Sequence, residues 1–204
     1  MPSPLVQEIG SEWRESPFHD LRWAPTQDER PGGEAEGFWV SHENLRGYLK
    51  PSKDGADVRS LPRAAHEKIA ADLGFDLGLP VAPAMLVDGR VSGGKVEAAV
   101  VSLVLYKEVH KWANAVQTQA SKAMAMHVLR TNRGAWSGML AFDTWLANAD
   151  RNNGGNVLIG IQPDDLSPLA EAMFCDFSYS MLHSGWAAGK WQEVSLAATL
   201  PEIR

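Results

Sequence analysis

The sequence predicts an α+β fold in which an N-terminal antiparallel sheet with one helix precedes a smaller helical part. Strand patterns occupy the first half of the chain, and a single helical pattern interrupts them. Two further helical patterns follow, and a hairpin pattern carrying polar residues comes after them. We therefore predict two lobes, residues 1–108 and residues 109–204, with residues 1–36 expected to be irregular.

The first half begins with a predicted hairpin. GFWV (37–40) and GYLK (47–50) are strand-like, and the turn-like SHENLR joins them. LPRAAHEKIAADLGFDLG (61–78) is typical of a helix that Ser60 caps. The predicted apolar face of this helix consists of Ala65, Ile69, Leu73 and Leu77. VEAAVVSLVLY (96–106) is apolar and β-branched, which favours a central strand.

The second half begins with two predicted helices. TQASKAMAMHVLR (118–130) is amphipathic, and His127 lies on its apolar side, which favours a core or pocket position. AWSGMLAFDTWLAN (135–148) is apolar nearly all round, which predicts a buried helix. VLIG (157–160) and AMFCDFSYSML (172–182) indicate a hairpin.

Composition narrows the classes of partner. The formal net charge of −6 disfavours non-specific binding to nucleic acid or to an anionic membrane, since both require a basic surface. The single cysteine, Cys175, excludes an internal disulfide and a multi-cysteine zinc site. No apolar run approaches the roughly 18 residues of a membrane span, and MPSPLVQEIG is unlike a signal peptide. We therefore expect a cytoplasmic protein.

Two aspartates occupy positions where a carboxylate is costly. Asp150 directly follows the predicted buried helix, and the helix dipole disfavours an acid at that end. Asp176 lies between apolar neighbours in AMFCDFSY. A carboxylate in such surroundings needs a partner, and a divalent cation is one. Asn153 and Asn156 supply neutral oxygens nearby, so the segments predict a Mg²⁺ site, with ordinary turn residues as the alternative.

The order of the charged residues along the chain is more specific than any one of them. Lys50 ends a predicted strand, Glu67 lies on the next helix, the Asp150–Asn156 loop follows, and Asp176 begins a D-F-S segment. Alone, Lys50 would be a solvated strand-end lysine and Glu67 an exposed helix residue. Together they resemble the order of the protein-kinase template, which has a phosphate-binding Lys, a helix Glu, a catalytic Asp and metal ligands.

FDTWLANADRNNGGNVLI, followed by CDFS, resembles the catalytic and metal-binding segments of HipA-like kinases and the related phosphatidylinositol 3/4-kinase-like proteins. YLKP and AAHEKIAADLGFDLGLPVAP are similar to the strand lysine and helix glutamate segments of the same families. The resemblance covers residues 38–182. It implies a kinase-like two-lobe fold that uses ATP and Mg²⁺.

The resemblance also implies roles for individual residues. Lys50, paired with Glu67, would bind the ATP phosphates, and Asp150 would be the catalytic aspartate. Asn156 and Asp176 would bind Mg²⁺ from the loop and the hairpin. Residues 102–108 would form the hinge beside adenine, and the nucleotide-binding positions expected there are Ser102, Leu103, Val104, Leu105 and Tyr106.

Three departures from the family pattern leave alternatives open. The interval from Asp150 to Asn156 is one residue longer than D-x-x-x-x-N, so Asn153 is a second candidate ligand. Ser178 replaces the usual glycine, and little chain follows Asp176, which predicts a small C-terminal lobe. The glycine-rich GGEAEG (32–37) is either a phosphate-covering loop or a surface turn.

The resemblance predicts an ATP- and Mg²⁺-dependent phosphotransferase whose acceptor is a Ser or Thr on a protein. A small molecule or a lipid headgroup is the alternative acceptor, although the negative net charge disfavours a lipid. The altered loop and the small C-terminal lobe favour a different class of function. In that alternative, the chain is a nucleotide-binding pseudokinase module that acts through a protein partner.

Overall fold

The computed structural model describes residues 23–26, 37–43, 45–51, 63–90, 96–148, 150–162, 169–178 and 180–181. This part of the chain is α+β and contains two antiparallel sheets. Its strands are β1 (Ala24–Pro25), β2 (Phe38–His42), β3 (Leu45–Pro51), β4 (Ala84–Arg90), β5 (Val96–Val104), β6 (Glu108–Lys111), β7 (Val157–Gln162) and β8 (Leu169–Phe174). Its helices are α1 (Arg63–Asp76), α2 (Trp112–Ala115), α3 (Gln119–Thr131) and α4 (Arg133–Trp145).

The first sheet has the strand order β1-β2-β3-β5-β4. The predicted hairpin is confirmed, since β2 pairs with β3 and Trp39 lies opposite Tyr48. β5 lies between β3 and β4, so the predicted central strand is confirmed as well. Lys50 lies opposite Val100. One face of the sheet is a buried apolar cluster formed by Val40, Leu49, Met85, Val87, Ala99, Val101 and Leu103.

Helix α1 packs on the other face of this sheet through small side chains. Ala64 and Ala71 form a buried cluster with Ala84 and Val100. The predicted apolar face is wrong, because Ile69 and Leu77 are exposed, at 45% and 63%. Leucine-sized side chains would hold the helix away from the sheet, whereas alanines allow close approach and direct the buried Glu67 towards Lys50. The predicted cap at Ser60 lies outside the described residues, as does nearly all of GGEAEG (32–37).

The second sheet has the order β6-β7-β8 and packs against α2, α3 and α4. Thr118 caps α3 by accepting a hydrogen bond from the Ser121 N–H (3.2 Å). The predicted helix over 135–148 and the predicted hairpin are confirmed as α4 and as the β7–β8 pair. The prediction for His127 is wrong, since its side chain is exposed.

The core beneath this sheet is aromatic. Trp136 of α4 meets Phe174 edge to face, with ring centroids 5.1 Å apart. Phe142 of the same helix meets Phe177 in the same manner at 5.9 Å. Edge-to-face contacts of this kind stabilise a core beyond the apolar area that they bury. They fix the end of β8, and with it the segment that carries Asp176, against α4.

Three hydrogen bonds link segments next to the first sheet to strand β8 of the second sheet. The N–H of Ala82 donates to the Phe174 carbonyl (2.8 Å), and the Phe174 N–H donates to the Pro80 carbonyl (2.9 Å). Between β5 and β6, the Tyr106 hydroxyl donates to the Glu171 carboxylate (2.7 Å). These bonds position the end of β8 relative to the first sheet. No helix within the described ranges is long and apolar enough to cross a membrane.

Candidate active site

The loop after α4 brings Asp150 and Asn156 together. The Asn156 amide nitrogen donates to Asp150 Oδ2 (2.8 Å) and to the Asp150 carbonyl (2.9 Å). Asn156 is buried and Asp150 is half-buried. Burial raises the pKa of Asp150, and the negative charge of Asp176 adds to the rise, although the Asn156 hydrogen bond opposes it. Asp150 is therefore a stronger base than an ordinary aspartate.

The two glycines of the loop absorb the extra residue. A Cβ on Gly154 would lie 2.9 Å from the Cβ of Ala113, so the loop packs directly on α2 at this point. The Ala113 N–H donates to the Gly154 carbonyl (3.1 Å). Asn153 is exposed, and its side-chain oxygen accepts from the Gly155 N–H (3.0 Å). The bulge thus directs Asn153 outward while Asn156 stays at Asp150.

Asp176 begins a tight turn directly after β8. Its φ is 60°, a left-handed conformation that costs a non-glycine residue about 1–3 kcal/mol. Its Oδ1 forms an ion pair with Lys50 Nζ at a distance of 3.0 Å. Burial raises the pKa of Asp176, but the Lys50 ammonium and the hydrogen bonds from Ser178 lower it by more. The net shift of the pKa is therefore downward. The carboxylate is therefore ionised, and its Oδ1 faces the Lys50 ammonium.

Glu67 holds this turn from α1. Its carboxylate accepts hydrogen bonds from the N–H groups of Asp176 (3.0 Å) and Phe177 (2.7 Å) and from the Ser178 hydroxyl (3.2 Å). The strained backbone lies at Asp176, so serine fits where the family has glycine, and it adds a donor to Glu67. The sequence predicted only the Lys50 pairing, because no sequence pattern encodes a carboxylate bound to distant backbone N–H groups.

Lys50 lies between the two acids. Its Nζ is 3.5 Å from Glu67 Oε2 and 3.0 Å from Asp176 Oδ1. Burial lowers the pKa of Lys50, but the two carboxylates outweigh that effect and raise the pKa above its ordinary value. The lysine is thus cationic at any physiological pH. The three side chains carry one positive and two negative charges.

The predicted hinge residues lie in different environments. Ser102 alternates with Val101 and Leu103 along β5, so it faces the Lys50 side of the sheet, and its buried hydroxyl has no partner among the described residues. Leu103 packs in the cluster on the opposite face. Val104 ends the strand. Leu105 and Tyr106 connect it to β6, and the Tyr106 ring packs against Gly160.

Arg151 directly follows Asp150 in the chain, but it pairs with a different acid. Its guanidinium binds Asp143 of α4, with 2.9 Å from Nε to Oδ2 and 3.3 Å from Nη2 to Oδ1. Both side chains are buried. Asp143 was not among the predicted site residues, although the sequence carries one signal for it. An aspartate inside a helix that is apolar nearly all round is as costly as Asp150 and needs a partner.

Cys175 lies beside the site but has no nucleophilic character. Burial raises the pKa of its thiol to about 12. Its Sγ is 4.0 Å from the Gly155 carbonyl oxygen. Because the reactive form of cysteine is the thiolate, this thiol is inert at neutral pH. Its contribution to the site is its backbone carbonyl, which Arg151 binds.

The donor set suits Mg²⁺ combined with a phosphate ligand. Mg²⁺ prefers hard oxygens and is commonly bound through one or two carboxylates, with waters and substrate phosphates completing its shell. Asp176 supplies an ionised carboxylate, whose Oδ1 is ion-paired with Lys50. The amide nitrogen of Asn156 is used by Asp150, which leaves its amide oxygen for a cation. Asp150 and Asp176 are near enough for their charges to interact, so an ion between them would relieve that repulsion.

The chain matches the model of a known family and is similar to a solved kinase structure. A model described as HipA-like kinase matches residues 46–167, which is more than half of the chain. The crystal structure of the Helicobacter pylori proinflammatory kinase CtkA is similar, with a TM-score of 0.57 and 15% sequence identity. The match covers 80% of this chain and 60% of that one, so the chain spans less than two thirds of the kinase's length. At this identity the likeness concerns the fold alone. No curated protein matched the chain.

Proposed function

Because the chain belongs to the HipA-like kinase family, we propose that it is an ATP- and Mg²⁺-dependent phosphotransferase acting on a Ser or Thr hydroxyl of a protein. One observation carries the proposal. Lys50, Glu67 and Asp176 converge from a strand, a helix and a turn that are distant in sequence. The sum of their charges leaves a net negative site with one fixed cation, which suits a metal-bound polyphosphate.

Each residue then has a distinct role. Lys50 binds the phosphates, and Glu67 of α1 holds the Lys50 ammonium in place through their ion pair. Asp150 aligns the acceptor hydroxyl and takes its proton, a task that its raised pKa favours. Asp176 and Asn156 hold Mg²⁺, which would neutralise charge on the phosphate oxygens. Asn156 is preferred to Asn153, whose side-chain oxygen is already bonded to Gly155.

The nucleotide base would lie at the connection between the sheets. The backbone of Val104, Leu105 and Tyr106 leaves the first sheet there. Ser102 has a hydroxyl on the Lys50 side of β5 with no partner among the described residues, which makes it a candidate for a polar contact. The side chains of Leu103 and Tyr106 are engaged in packing, so we assign contacts at these positions to the backbone. The N-terminal lobe proposed for residues 1–108 would thus contribute the phosphate and base contacts.

A second candidate is a nucleotide-binding module without turnover, acting through a protein partner. The hydrogen bond from Asn156 to Asp150 Oδ2 favours it, since the bond occupies an oxygen that catalysis would need. The Lys50–Asp176 ion pair would also have to open for phosphates to enter. These contacts are compatible with nucleotide binding that is not followed by transfer.

Binding and transfer can be tested together. ATP·Mg²⁺ at about 100 times its Kd should add roughly 2.7 kcal/mol of stability, read as a higher Tm. Transfer of labelled phosphate to the chain itself, to protein mixtures or to small alcohols would identify the acceptor class. A Tm shift without any transfer would favour the module. No Tm shift, with or without Mg²⁺, would exclude both functions.

Variants test the roles. Asp176→Ala and Lys50→Ala should abolish transfer while the fold persists. Lys122→Ala, an exposed lysine on α3, is the control and should transfer like the parent chain. Full activity in Asp176→Ala would refute the metal assignment, and full activity in Lys50→Ala would refute the phosphate role.

A further inference from the structure

Arg151 is more completely enclosed than any role in phosphate binding would allow. It directly follows the proposed catalytic Asp150, yet only 4% of its surface is exposed. One edge of its guanidinium makes the paired contact with Asp143, which is itself fully buried. Asp143 also accepts a hydrogen bond from the Asn148 amide nitrogen (2.8 Å). A single buried carboxylate thus binds both the beginning and the middle of the loop.

The other edge of the guanidinium reaches two backbone carbonyls. Nη1 donates to the carbonyl oxygens of Asn156 and Cys175, each at 2.5 Å. These carbonyls belong to one proposed Mg²⁺ ligand and to the residue directly before the other. The Cys175 N–H also donates to the Asn156 carbonyl (3.1 Å). One guanidinium nitrogen therefore sets the separation between the segments that carry Asn156 and Asp176.

Stability alone does not account for this arrangement. A buried ion pair is often no more stabilising than apolar residues of the same volume, because both charges lose their hydration. The guanidinium also lies over the rings of Phe177 (4.7 Å) and Phe174 (5.7 Å), where an apolar side chain would pack well. What arginine adds is a rigid fork that binds a carboxylate and two carbonyls in fixed directions, which lysine lacks.

We propose that Asp143 and Arg151 form a positioning pair that fixes the spacing of the metal ligands Asn156 and Asp176. The proposal rests on the function proposed above. The pair touches neither metal nor nucleotide, and it acts through the two carbonyls. Groups that orient metal ligands in this way typically change metal affinity or activity by about 10–100-fold when they are replaced.

The test separates metal binding from folding. Mn²⁺, a paramagnetic substitute for Mg²⁺, is titrated against the full chain with a non-hydrolysable ATP analogue, and free Mn²⁺ is read by electron paramagnetic resonance. Arg151→Lys keeps the charge and loses the fork. We expect Mn²⁺ affinity about 10–100-fold weaker, a matching fall in kcat, and unchanged affinity for the analogue in EDTA. Asp143→Asn keeps its side-chain shape and carries the same expectation if Arg151→Lys does not fold.

Two controls make the outcomes distinct. Val128→Ala, in the core of α3, loses stability without touching the loop and should keep the parent Mn²⁺ affinity. Asp176→Ala should lose Mn²⁺ binding altogether. If Asp176→Ala fails to bind while the Arg151 or Asp143 variant binds like the parent, the positioning proposal is overturned. If Asp176→Ala itself binds like the parent, or the parent binds no Mn²⁺, the proposed function fails instead.

Discussion

Two networks of buried charge hold the candidate site, and they differ in reach and in charge balance. Lys50, Glu67 and Asp176 join elements that are distant in the chain, and Glu67 and Asp176 alone are 109 residues apart. Asp143 and Arg151 are eight residues apart. The long-range network has two acids for one base, whereas the local pair is neutral. The local pair therefore shapes the loop, whereas the long-range network places the Asp176 turn against the first sheet and keeps a net negative charge there.

The largest effect on stability is expected in the local pair. Asp143→Ala should lower the free energy of unfolding by about 3–5 kcal/mol, because it leaves Arg151 buried without a counter-charge. Urea denaturation measures the change. Thr144→Ala is the neighbouring control on the exposed side of α4, where we expect a change within about 0.5 kcal/mol. Equal losses of unfolding free energy at the two positions would mean that the buried pair contributes no more to stability than a surface residue.

The long-range network should respond less, because its members retain other partners. Glu67→Gln should cost about 1–3 kcal/mol, since the amide offers one acceptor oxygen and turns an N–H₂ group towards existing donors. Asp76→Asn is the acid-to-amide control at the exposed end of the same helix. We expect a change within about 0.5 kcal/mol there. A Glu67 variant as stable as the Asp76 variant would show that the backbone contacts contribute little.

The hydrogen bond at the connection between the two sheets joins an uncharged donor, the Tyr106 hydroxyl, to the Glu171 carboxylate. Tyr106→Phe removes the hydrogen bond to Glu171 and should cost about 1 kcal/mol in urea denaturation. Because the ring itself is kept, packing against Gly160 is unchanged. A parallel loss of affinity for the ATP analogue would indicate that this connection also shapes the base site. An unchanged free energy of unfolding would remove it from the contacts that join the sheets.

The smallest effect is a difference in sign between the two aspartates. The folded-state pKa of Asp150 is raised, so its contribution to stability is fully present below the unfolded-state pKa, about 3.9, and is lost as pH rises through the folded-state pKa. The pKa of Asp176 is lowered, so its contribution is present above the unfolded-state pKa and is lost as pH falls through the folded-state pKa.

The measurement compares Tm of the parent chain with Asp150→Asn and Asp176→Asn across the acid range in EDTA. The advantage of the parent over Asp150→Asn should shrink as pH rises. Its advantage over Asp176→Asn should shrink as pH falls. Curves of the same slope for both variants would contradict the assignment of opposite environments.

Much of the fold was predictable because strand and helix periodicity are local properties. The hairpin β2–β3, the internal strand β5 and helix α4 all followed from patterns within short windows. The family followed from the linear order of motifs. The outward face of α1 was mispredicted, because Ile69 and Leu77 are apolar yet the sheet accepts only small side chains there. At α1, tertiary packing against the sheet overrides the apolar periodicity of the helix.

In the candidate site, too, the side chains were predictable from local patterns, whereas the contacts that depend on tertiary structure were not. Lys50, Glu67 and Asp176 were selected from the sequence, and the structure brings them together. Their roles, and those of Asp150 and Asn156, stay predictions. The partners of Arg151 and the backbone contacts of Glu67 could not be predicted, because they depend on where two distant carbonyls and two distant N–H groups meet. A sequence pattern can point to a functional side chain, but it does not predict where the backbone groups of distant segments lie.

The packing of Tyr106 on Gly160 has a consequence for how the molecule could evolve. Any side chain at position 160 would enter the space of the Tyr106 ring. The Tyr106 ring therefore limits position 160 to glycine for as long as the segment between β5 and β6 keeps its place. A lineage that moved this segment would, in the same step, free position 160 of β7 to carry a side chain.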